Sequence, residues 1–318
     1  MAISPSVRRW LLTGADPSVV YRVRRELLGQ RESDPKVRAA RRKIGRSGWA
    51  ASILAQQMPG GGWATRGTSG RELYWPKYFA TNWQLIVLAE LGVPGSDPRV
   101  RRALDLVRKR WGGRGNAFGG SGSETCITGN WVRYMVRFGR ADDPYVASAI
   151  DWLVDQQKDD GGWHCFPSRQ GTLDAWEAMN AFAALPPERR TARVRAAIGR
   201  GAEFFLDRGL LREGPGAYPP WERLHFPAYY YYDLLVGLDF LTALGYGDDR
   251  RLRAPLDRLE AMRRPDGRWN LDAHHPDVDG VGYQPRAPFY PAVLELAGRP
   301  SRWITTSALV VLRRAGRL

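Results

Sequence analysis

The segment WLVDQQKDDGGW, residues 152–163, decides the fold of this 318-residue chain. An aromatic and an aliphatic residue are followed after three positions by Gln157, and after three more by Gly161-x-Trp163. A glutamine at a helix end can bond to the turn backbone, glycine permits the tight turn, and tryptophan can pack under the next hairpin. Two further copies stand at residues 53–63 and 259–269, with Ser52 in place of the aromatic residue and Arg263 in place of glutamine.

These turns alternate with helical patterns of two kinds. The first kind opens at an aspartate, as at Asp97, Asp143 and Asp249, and continues with apolar residues at helical spacing and one charged face. A weaker copy starts near Thr191, so successive starts lie 46 to 58 residues apart. This is the period of helix-pair repeats, in which the charged helices form an outer layer.

The second kind of helix is more apolar and follows each turn. We expect these helices to form an inner ring. Their predicted ranges are 78–92, 125–138, 172–185, 228–245 and 301–315. No alternation typical of strands occurs, so the expected fold class is all-α.

The composition narrows the class of protein further. The formal net charge is +15, but the arginines are spread along the chain, mostly on what look like solvated helix faces, and form no compact basic run. Nucleic acid is therefore not the expected partner, whereas peripheral contact with an anionic membrane, or an anionic substrate such as a diphosphate, would suit the charge. With two cysteines, no apolar leader and no run of ~20 apolar residues, we expect a cytoplasmic protein.

The turn motif resembles the QW motif of the terpenoid cyclase and protein prenyltransferase superfamily, which includes squalene cyclases. The three copies stand in register with the helix-pair repeat, so the resemblance extends over roughly residues 50–318. The resemblance implies an α/α toroid made of an inner and an outer helix ring. It would form a single domain over residues 1–318, with the helices of residues 1–50 completing the ring. It also implies an isoprenoid or similar apolar substrate in a central cavity. Because the motif residues are staples between repeats, the resemblance concerns the fold rather than the chemistry.

The catalytic signatures of these enzymes are absent from the sequence. The D-x-D-D motif of class II cyclases has its nearest counterpart in residues 277–280, which lack the paired third carboxylate. No D-D-x-x-D motif is present either, and two of the three paired aspartates are better read as helix caps. The sequence thus leaves open whether the protein is catalytic.

Protein prenyltransferases hold zinc with an Asp-x-Cys pair and a later histidine. Glu124-Thr125-Cys126 resembles that pair, and His164-Cys165 follows the Gly161-Gly162-Trp163 turn. In a toroid both segments would lie at the same end of adjacent repeats. The resemblance therefore predicts a zinc site formed by Glu124, Cys126, His164 and Cys165. The alternative is that both cysteines are ordinary small buried residues.

Aromatic residues cluster where inner helices should begin, and such rings could stabilise carbocations or bind apolar chains. The candidate substrate-binding residues are Trp75, Phe79, Trp83, Trp131, Trp176, Tyr230, Tyr231 and Trp303. The alternative is that these aromatic side chains simply fill the toroid.

Candidate catalytic residues are Asp174, Asp233 and His225, the last as a proton carrier at the mouth of an inner helix. Two other functions stay open. An (α/α)-barrel carbohydrate-active enzyme would use paired carboxylates such as Asp174, Glu177, Asp233 and Asp272. A non-catalytic repeat scaffold would bind a peptide, lipid or nucleic acid.

Overall fold

A computed structural model describes residues 3–63, 73–75, 77–111, 124–213, 216–229, 231–274 and 294–318. These residues hold thirteen α-helices. The first seven are α1 (Pro5–Leu12), α2 (Pro17–Arg22), α3 (Pro35–Lys43), α4 (Gly48–Leu54), α5 (Thr81–Glu90), α6 (Pro98–Trp111) and α7 (Thr125–Arg137). The others are α8 (Pro144–Asp155), α9 (Glu177–Ala184), α10 (Ala192–Asp207), α11 (Leu234–Ala243), α12 (Arg253–Ala261) and α13 (Arg302–Arg314).

Short elements complete the described residues. A π-helical turn (Val23–Leu27) extends α2, and 3₁₀ turns occupy Pro187–Arg189, Pro219–Glu222 and Arg250–Leu252. Two antiparallel strand pairs of two residues each join Arg212–Glu213 to Gly216–Ala217 and Asn270–Leu271 to Arg299–Pro300. With so little sheet in the described residues, the all-α fold class is confirmed.

The helices form an α/α toroid. Along the inner ring, α13 packs on α2 and α11, α9 packs on α11 and α7, and α7 packs on α5. The helix α4 packs on both α2 and α5, which completes the circle. The amphipathic helices α3, α6, α8, α10 and α12 lie against inner helices as an outer layer. One continuous apolar core runs through the described residues from Val7 to Leu312.

The three turn motifs have the same geometry. In each, the buried tryptophan donates its indole N–H to the carbonyl oxygen ten residues earlier at 2.8 Å. The pairs are Trp63 with Ile53, Trp163 with Leu153, and Trp269 with Leu259. The motif glycines have positive φ, as at Gly161 with φ +86°. The three tryptophans are buried, as their predicted role as staples between repeats requires.

In two of the three turns, the motif glutamine ties the turn to the next outer helix. The Gln157 amide donates to the Gly161 carbonyl at 2.7 Å and to the Ala197 carbonyl in α10 at 2.9 Å. The Gln57 amide makes the same pair of bonds to Gly61 and to Arg99 in α6, both at 2.7 Å.

Two predicted inner helices begin later than expected. The helix expected over 172–185 starts at Glu177, because the Thr172 backbone N–H donates instead to the Trp163 carbonyl (2.8 Å). The helix expected over 228–245 starts at Leu234, because Asp233 caps it and Tyr229 has φ +53°. The tyrosines that precede α11 therefore lie in its entry loop.

No helix in the described parts of the chain combines the length and the hydropathy that crossing a membrane requires.

Candidate functional site

A cavity of about 350 Å³ lies inside the ring of inner helices. Its lining comes from α2 and the following π-helical turn, α5 and the turn after it, α7, α9, α11, α13 and the loop before α11, with Arg41 of the outer helix α3. One end lies where α9, α11 and α13 begin and is aromatic. The other lies where α2, α5, α7 and α13 end and is charged. The cavity is thus elongated and amphipathic.

The aromatic end consists of Trp176, Phe226 and Trp303. The rings of Phe226 and Trp303 are stacked, with centroids 4.3 Å apart and planes inclined by 18°. Both rings also contact Trp49 of α4, at 6.4 Å in each case. This arrangement gives a rigid apolar wall of the kind that binds hydrocarbon chains.

A histidine–aspartate pair borders the aromatic end. His225 Nδ1 lies 3.4 Å from Asp233 Oδ2, and both side chains are buried. Asp233 is held in place because it accepts backbone N–H bonds from His225 (2.8 Å) and Val236 (2.9 Å). The Tyr231 ring stacks on the imidazole with centroids 4.2 Å apart. An imidazole so oriented can accept and return a proton inside the cavity.

The charged end, which we call the arginine end, carries four guanidinium groups and three carboxylates, besides Arg41, whose charge is paired with Glu32 outside the lining. Its members are Arg22, Arg133, Arg137, Arg314, Glu26, Glu90 and Asp239. Three of the arginines are ion-paired. Arg133 bonds to Glu90, Arg314 lies 2.8 Å from Asp239, and Arg22 lies 3.3 Å from Glu26.

Arg137 differs from the other three arginines. Its side chain has no hydrogen bond or ion pair to any described residue, and it is exposed where it lines the cavity. Burial, together with repulsion from Arg133, lowers the pKa of Arg137 to about 10. Its guanidinium still carries a charge at neutral pH, and the protein compensates that charge poorly.

The pKa of the Asp239 carboxylate shows the effect of the same positive charges. Burial alone would raise the pKa of Asp239, but Arg314, Arg22, Arg137 and Arg133 outweigh burial and lower it. The arginine end is therefore electropositive, even where its acids are partly desolvated.

The two ends of the cavity are joined by cation–π contacts. The guanidinium carbon of Arg22 lies 4.9 Å from the Trp303 ring centroid, and that of Arg133 lies 5.9 Å from the Trp176 ring. Arg22 also donates to the Ser307 hydroxyl at 2.6 Å. A bound molecule could therefore touch aromatic rings and guanidinium groups at once.

The predicted substrate-binding residues divide into three groups. Trp176 and Trp303 line the cavity, and Tyr231 stacks on a lining residue. Phe79, Trp83 and Trp131 are buried outside the lining, and Trp75 is exposed. Tyr230 lies outside the described residues. Trp83 packs on Tyr78 and Tyr229, which is the packing role that the sequence offered as an alternative.

The predicted thiol region is a second, separate cluster. The side chains of Cys126 and Cys165 contact each other, Cys126 donates to Glu124 at 3.4 Å, and Thr125 donates to the His164 carbonyl oxygen at 3.1 Å. The hydrogen bond with Cys165, together with burial, raises the pKa of Cys126 well above its usual range. Both cysteines thus lie together at the start of α7, as their positions in adjacent repeats predicted.

The predicted zinc site would lie at this cluster. The ring of His164 is engaged by its own loop, where Nδ1 accepts from the Phe166 backbone at 2.9 Å. Across the described residues, no three His, Cys, Asp or Glu side chains are arranged to hold a metal ion. Zinc stays a prediction, and metal analysis of the parent protein beside Cys126→Ser and Cys165→Ser variants tests it.

The remaining carboxylates lie in different environments. Asp174 is exposed and does not line the cavity, while Asp272 accepts the Leu224 backbone N–H at 3.0 Å. Glu177 is fully buried, and neither carboxylate oxygen accepts a hydrogen bond from another described residue. Burial, reinforced by Cys165, raises the pKa of Glu177 well above its usual range. Residues 277–280 lie outside the described residues.

The sequence reasoning missed the arginine end and Phe226. It assigned the arginines mostly to solvated outer faces, whereas Arg133 and Arg137 belong to α7, an inner helix. A signal was present, because these two arginines stand four residues apart in an otherwise apolar helix and so share one face. Arg314 and Glu90 likewise end inner helices.

A family comparison agrees with the fold. Residues 75–174 match the family model of the squalene-hopene cyclase C-terminal domain. The match supports the resemblance to the terpenoid cyclase superfamily that the turn motif indicated. No curated protein matches the chain.

Several solved structures are similar at low identity. A protein from Actinoplanes has 19% identity over 95% of this chain and 90% of that chain, with a TM-score of 0.46. A variant of the type II terpene cyclase MstE from Scytonema, in complex with its product merosterolic acid A, has 15% identity over 95% and 87%, with a TM-score of 0.46. Another MstE variant, with its substrate geranylgeranyl dihydroxybenzoate, has 16% identity over 95% and 88%, with a TM-score of 0.46. Likenesses this distant carry no argument about substrate or mechanism.

Proposed function

We propose that the protein is a terpenoid cyclase-like enzyme that takes an isoprenoid or similar apolar chain into its central cavity, where His225 moves a proton. The observation that carries this proposal is the cavity of about 350 Å³, which joins a stacked aromatic wall to a buried histidine–aspartate pair. Its volume is at the lower end of the range of ligand pockets, which favours a short chain.

The side chains that border the aromatic end limit the chemistry. Protonation of an isolated alkene requires a far stronger acid than an imidazolium group. A histidine–aspartate pair instead suits the removal of a proton from an activated carbon and its return at another carbon. The reaction is then an isomerisation or ring closure of an activated isoprenoid. Asp233 acts as a positioning residue, because it accepts the His225 backbone N–H and its carboxylate lies 3.4 Å from the imidazole Nδ1.

Binding is tested first with a neutral probe. Geraniol should quench the fluorescence of the cavity tryptophans in the parent protein. A Val236→Phe variant should lose binding, because it fills the cavity from α11 without removing a polar contact. A Trp75→Phe variant is the control, since that exposed ring lies outside the lining. Equal binding to all three proteins would place the ligand elsewhere.

Turnover is tested by incubating the protein with short isoprenoid acids and alcohols and analysing the extract by gas chromatography and mass spectrometry. His225→Gln should lower the rate by about 10² or more, the usual contribution of a general base. Asp233→Asn should shift the pH profile, which a purely structural substitution would not do. His164→Gln is the matched control, because that ring lies in a loop outside the cavity lining. Full activity of His225→Gln would remove histidine from the mechanism.

A further inference from the structure

The arginine end has an uncompensated charge. Four guanidinium groups face three carboxylates among its described members, which leaves one positive charge. The ion pairs assign that excess to Arg137, since Arg133, Arg314 and Arg22 each have an acidic partner. The Arg137 side chain lines the cavity and keeps accessible surface, so its guanidinium is free to donate hydrogen bonds to a bound ligand of opposite charge.

The helix ends account for only part of this excess. Arg137 and Arg314 close α7 and α13, where the partial negative charge of a helix carboxyl end favours cations. That effect is confined to the last turn and is a fraction of a unit charge. It does not compensate Arg137 fully, because burial and Arg133 still lower the pKa of its guanidinium.

We infer that the arginine end binds the carboxylate of an amphipathic monoanion, with Arg137 as its principal partner and the apolar chain against Phe226 and Trp303. A single positive charge matches one carboxylate. The planar guanidinium fork binds a carboxylate through two parallel hydrogen bonds. A diphosphate would instead bring additional negative charge close to Glu26, Glu90 and Asp239.

This inference deepens the proposed function, on which it rests for the isoprenoid nature of the chain but not for the charge of the headgroup. The cation–π contacts of Arg22 and Arg133 place guanidinium groups directly beside the aromatic wall. Headgroup and chain therefore occupy one continuous cavity rather than two sites. The substrate class is an unsaturated branched-chain carboxylic acid.

The test measures the affinities of geranic acid, geraniol and geranyl diphosphate by titration calorimetry. These probes share one chain and differ in headgroup charge. We expect geranic acid to bind the parent protein at least tenfold more tightly than geraniol, because a hydrogen-bonded charge pair contributes about that much or more. Geranyl diphosphate should bind more weakly than geranic acid. Equal affinities for acid and alcohol, or tighter binding of the diphosphate, would overturn the assignment.

Substitutions of single arginines test which side chain binds the carboxylate. Arg137→Gln should lose about tenfold or more in affinity for geranic acid and leave geraniol unchanged, while Arg137→Lys should keep part of the affinity. Arg140→Gln makes the same change of net charge at an exposed position outside the lining and should bind like the parent. If Arg137→Gln and Arg140→Gln behave alike, Arg137 is not the partner. Thermal unfolding of each variant verifies that it is folded.

A fourth probe separates this inference from the proposed function. Decanoate carries the carboxylate on a straight saturated chain. Binding of decanoate that depends on Arg137, without binding of either geraniol or geranic acid, would support the carboxylate site and contradict the isoprenoid substrate. Binding of geraniol without any affinity for either carboxylate would support the isoprenoid substrate and overturn the carboxylate site.

Discussion

The turn around Trp163 and the arginine end both place polar side chains inside the protein. Only in the turn do all of these polar side chains find partners among the residues that the structure describes. In the turn, the indole N–H of Trp163 and the amide of Gln157 each find carbonyl partners at 2.7 to 2.9 Å. At the arginine end, Arg137 has no partner among the described residues. Polar groups whose hydrogen-bond partners all lie within the protein stabilise a fold. A charged group without such a partner beside a cavity can bind a ligand.

The turn should therefore be the place where substitution costs most stability. Trp163→Ala should lower the free energy of unfolding by about 3 to 5 kcal/mol, because it leaves a cavity and removes an indole hydrogen bond. Urea denaturation measures the change. Phe166→Ala, three residues away and 64% exposed, should change it by less than about 0.5 kcal/mol. A Trp163→Ala variant that unfolds like the parent would refute the staple role.

A matched pair in α7 contrasts paired and unpaired arginines. Arg133→Gln leaves the buried Glu90 carboxylate without its partner and should destabilise the protein by about 3 kcal/mol or more. Arg137→Gln removes a charge that has no partner and should change stability by about 0.5 kcal/mol or increase it. Denaturant titration of the two variants measures both changes in the free energy of unfolding. Equal losses in the two variants would mean that Arg137 is part of the structural ion-pair network.

Two glycines with positive φ distinguish two causes of instability. One is a steric clash of a new side chain, and the other is a backbone conformation that a new side chain disfavours. Gly161→Ala and Gly139→Ala both place a side chain at positive φ, which costs about 1 to 2 kcal/mol. Only at Gly161 would the new Cβ meet backbone, 2.5 Å from the Arg200 carbonyl oxygen. We expect Gly161→Ala to be more destabilising than Gly139→Ala by about 1 to 3 kcal/mol in thermal or urea unfolding. Equal losses would show that α10 yields at this contact.

Glu177 gives an effect on stability that depends on pH. Its raised pKa means that the folded protein holds this proton at a pH where the unfolded chain, with a value near 4.5, has released it. Stability should therefore fall as the pH rises from about 4.5 towards the folded-state pKa, and Glu177→Gln should remove that part of the slope. Unfolding free energies measured between about pH 5 and pH 8 test this. Parallel pH profiles for parent and variant would contradict a buried neutral carboxyl group, and Asp174→Asn is the exposed control.

Local signals made most of the fold predictable. Three inner helices expected over 78–92, 125–138 and 301–315 occur as Thr81–Glu90, Thr125–Arg137 and Arg302–Arg314. Their limits depend on caps and apolar spacing within one repeat, which a sequence displays directly. The α11 boundary was wrong because Asp233 serves as the helix cap and the preceding tyrosines form its entry loop.

The site was predictable only where it lies beside a helix start. Trp176, Trp303, His225 and Asp233 were found in this way, because aromatic and titratable residues stood out at those positions. Arg133 and Arg137 marked one face of α7, but the complete arginine end could not be found, since it depends on which side chains from five separate helices and a π-helical turn meet at the cavity. That convergence is a property of ring closure, and no single repeat contains it.

The most direct measurement of the central claim is a crystal structure of the protein with geranic acid. The account predicts electron density for the chain between Trp176, Phe226 and Trp303, and a carboxylate within hydrogen-bond distance of Arg137. A cavity that holds only water at a ligand concentration that saturates binding in solution, or a ligand bound outside the ring of inner helices, would contradict it.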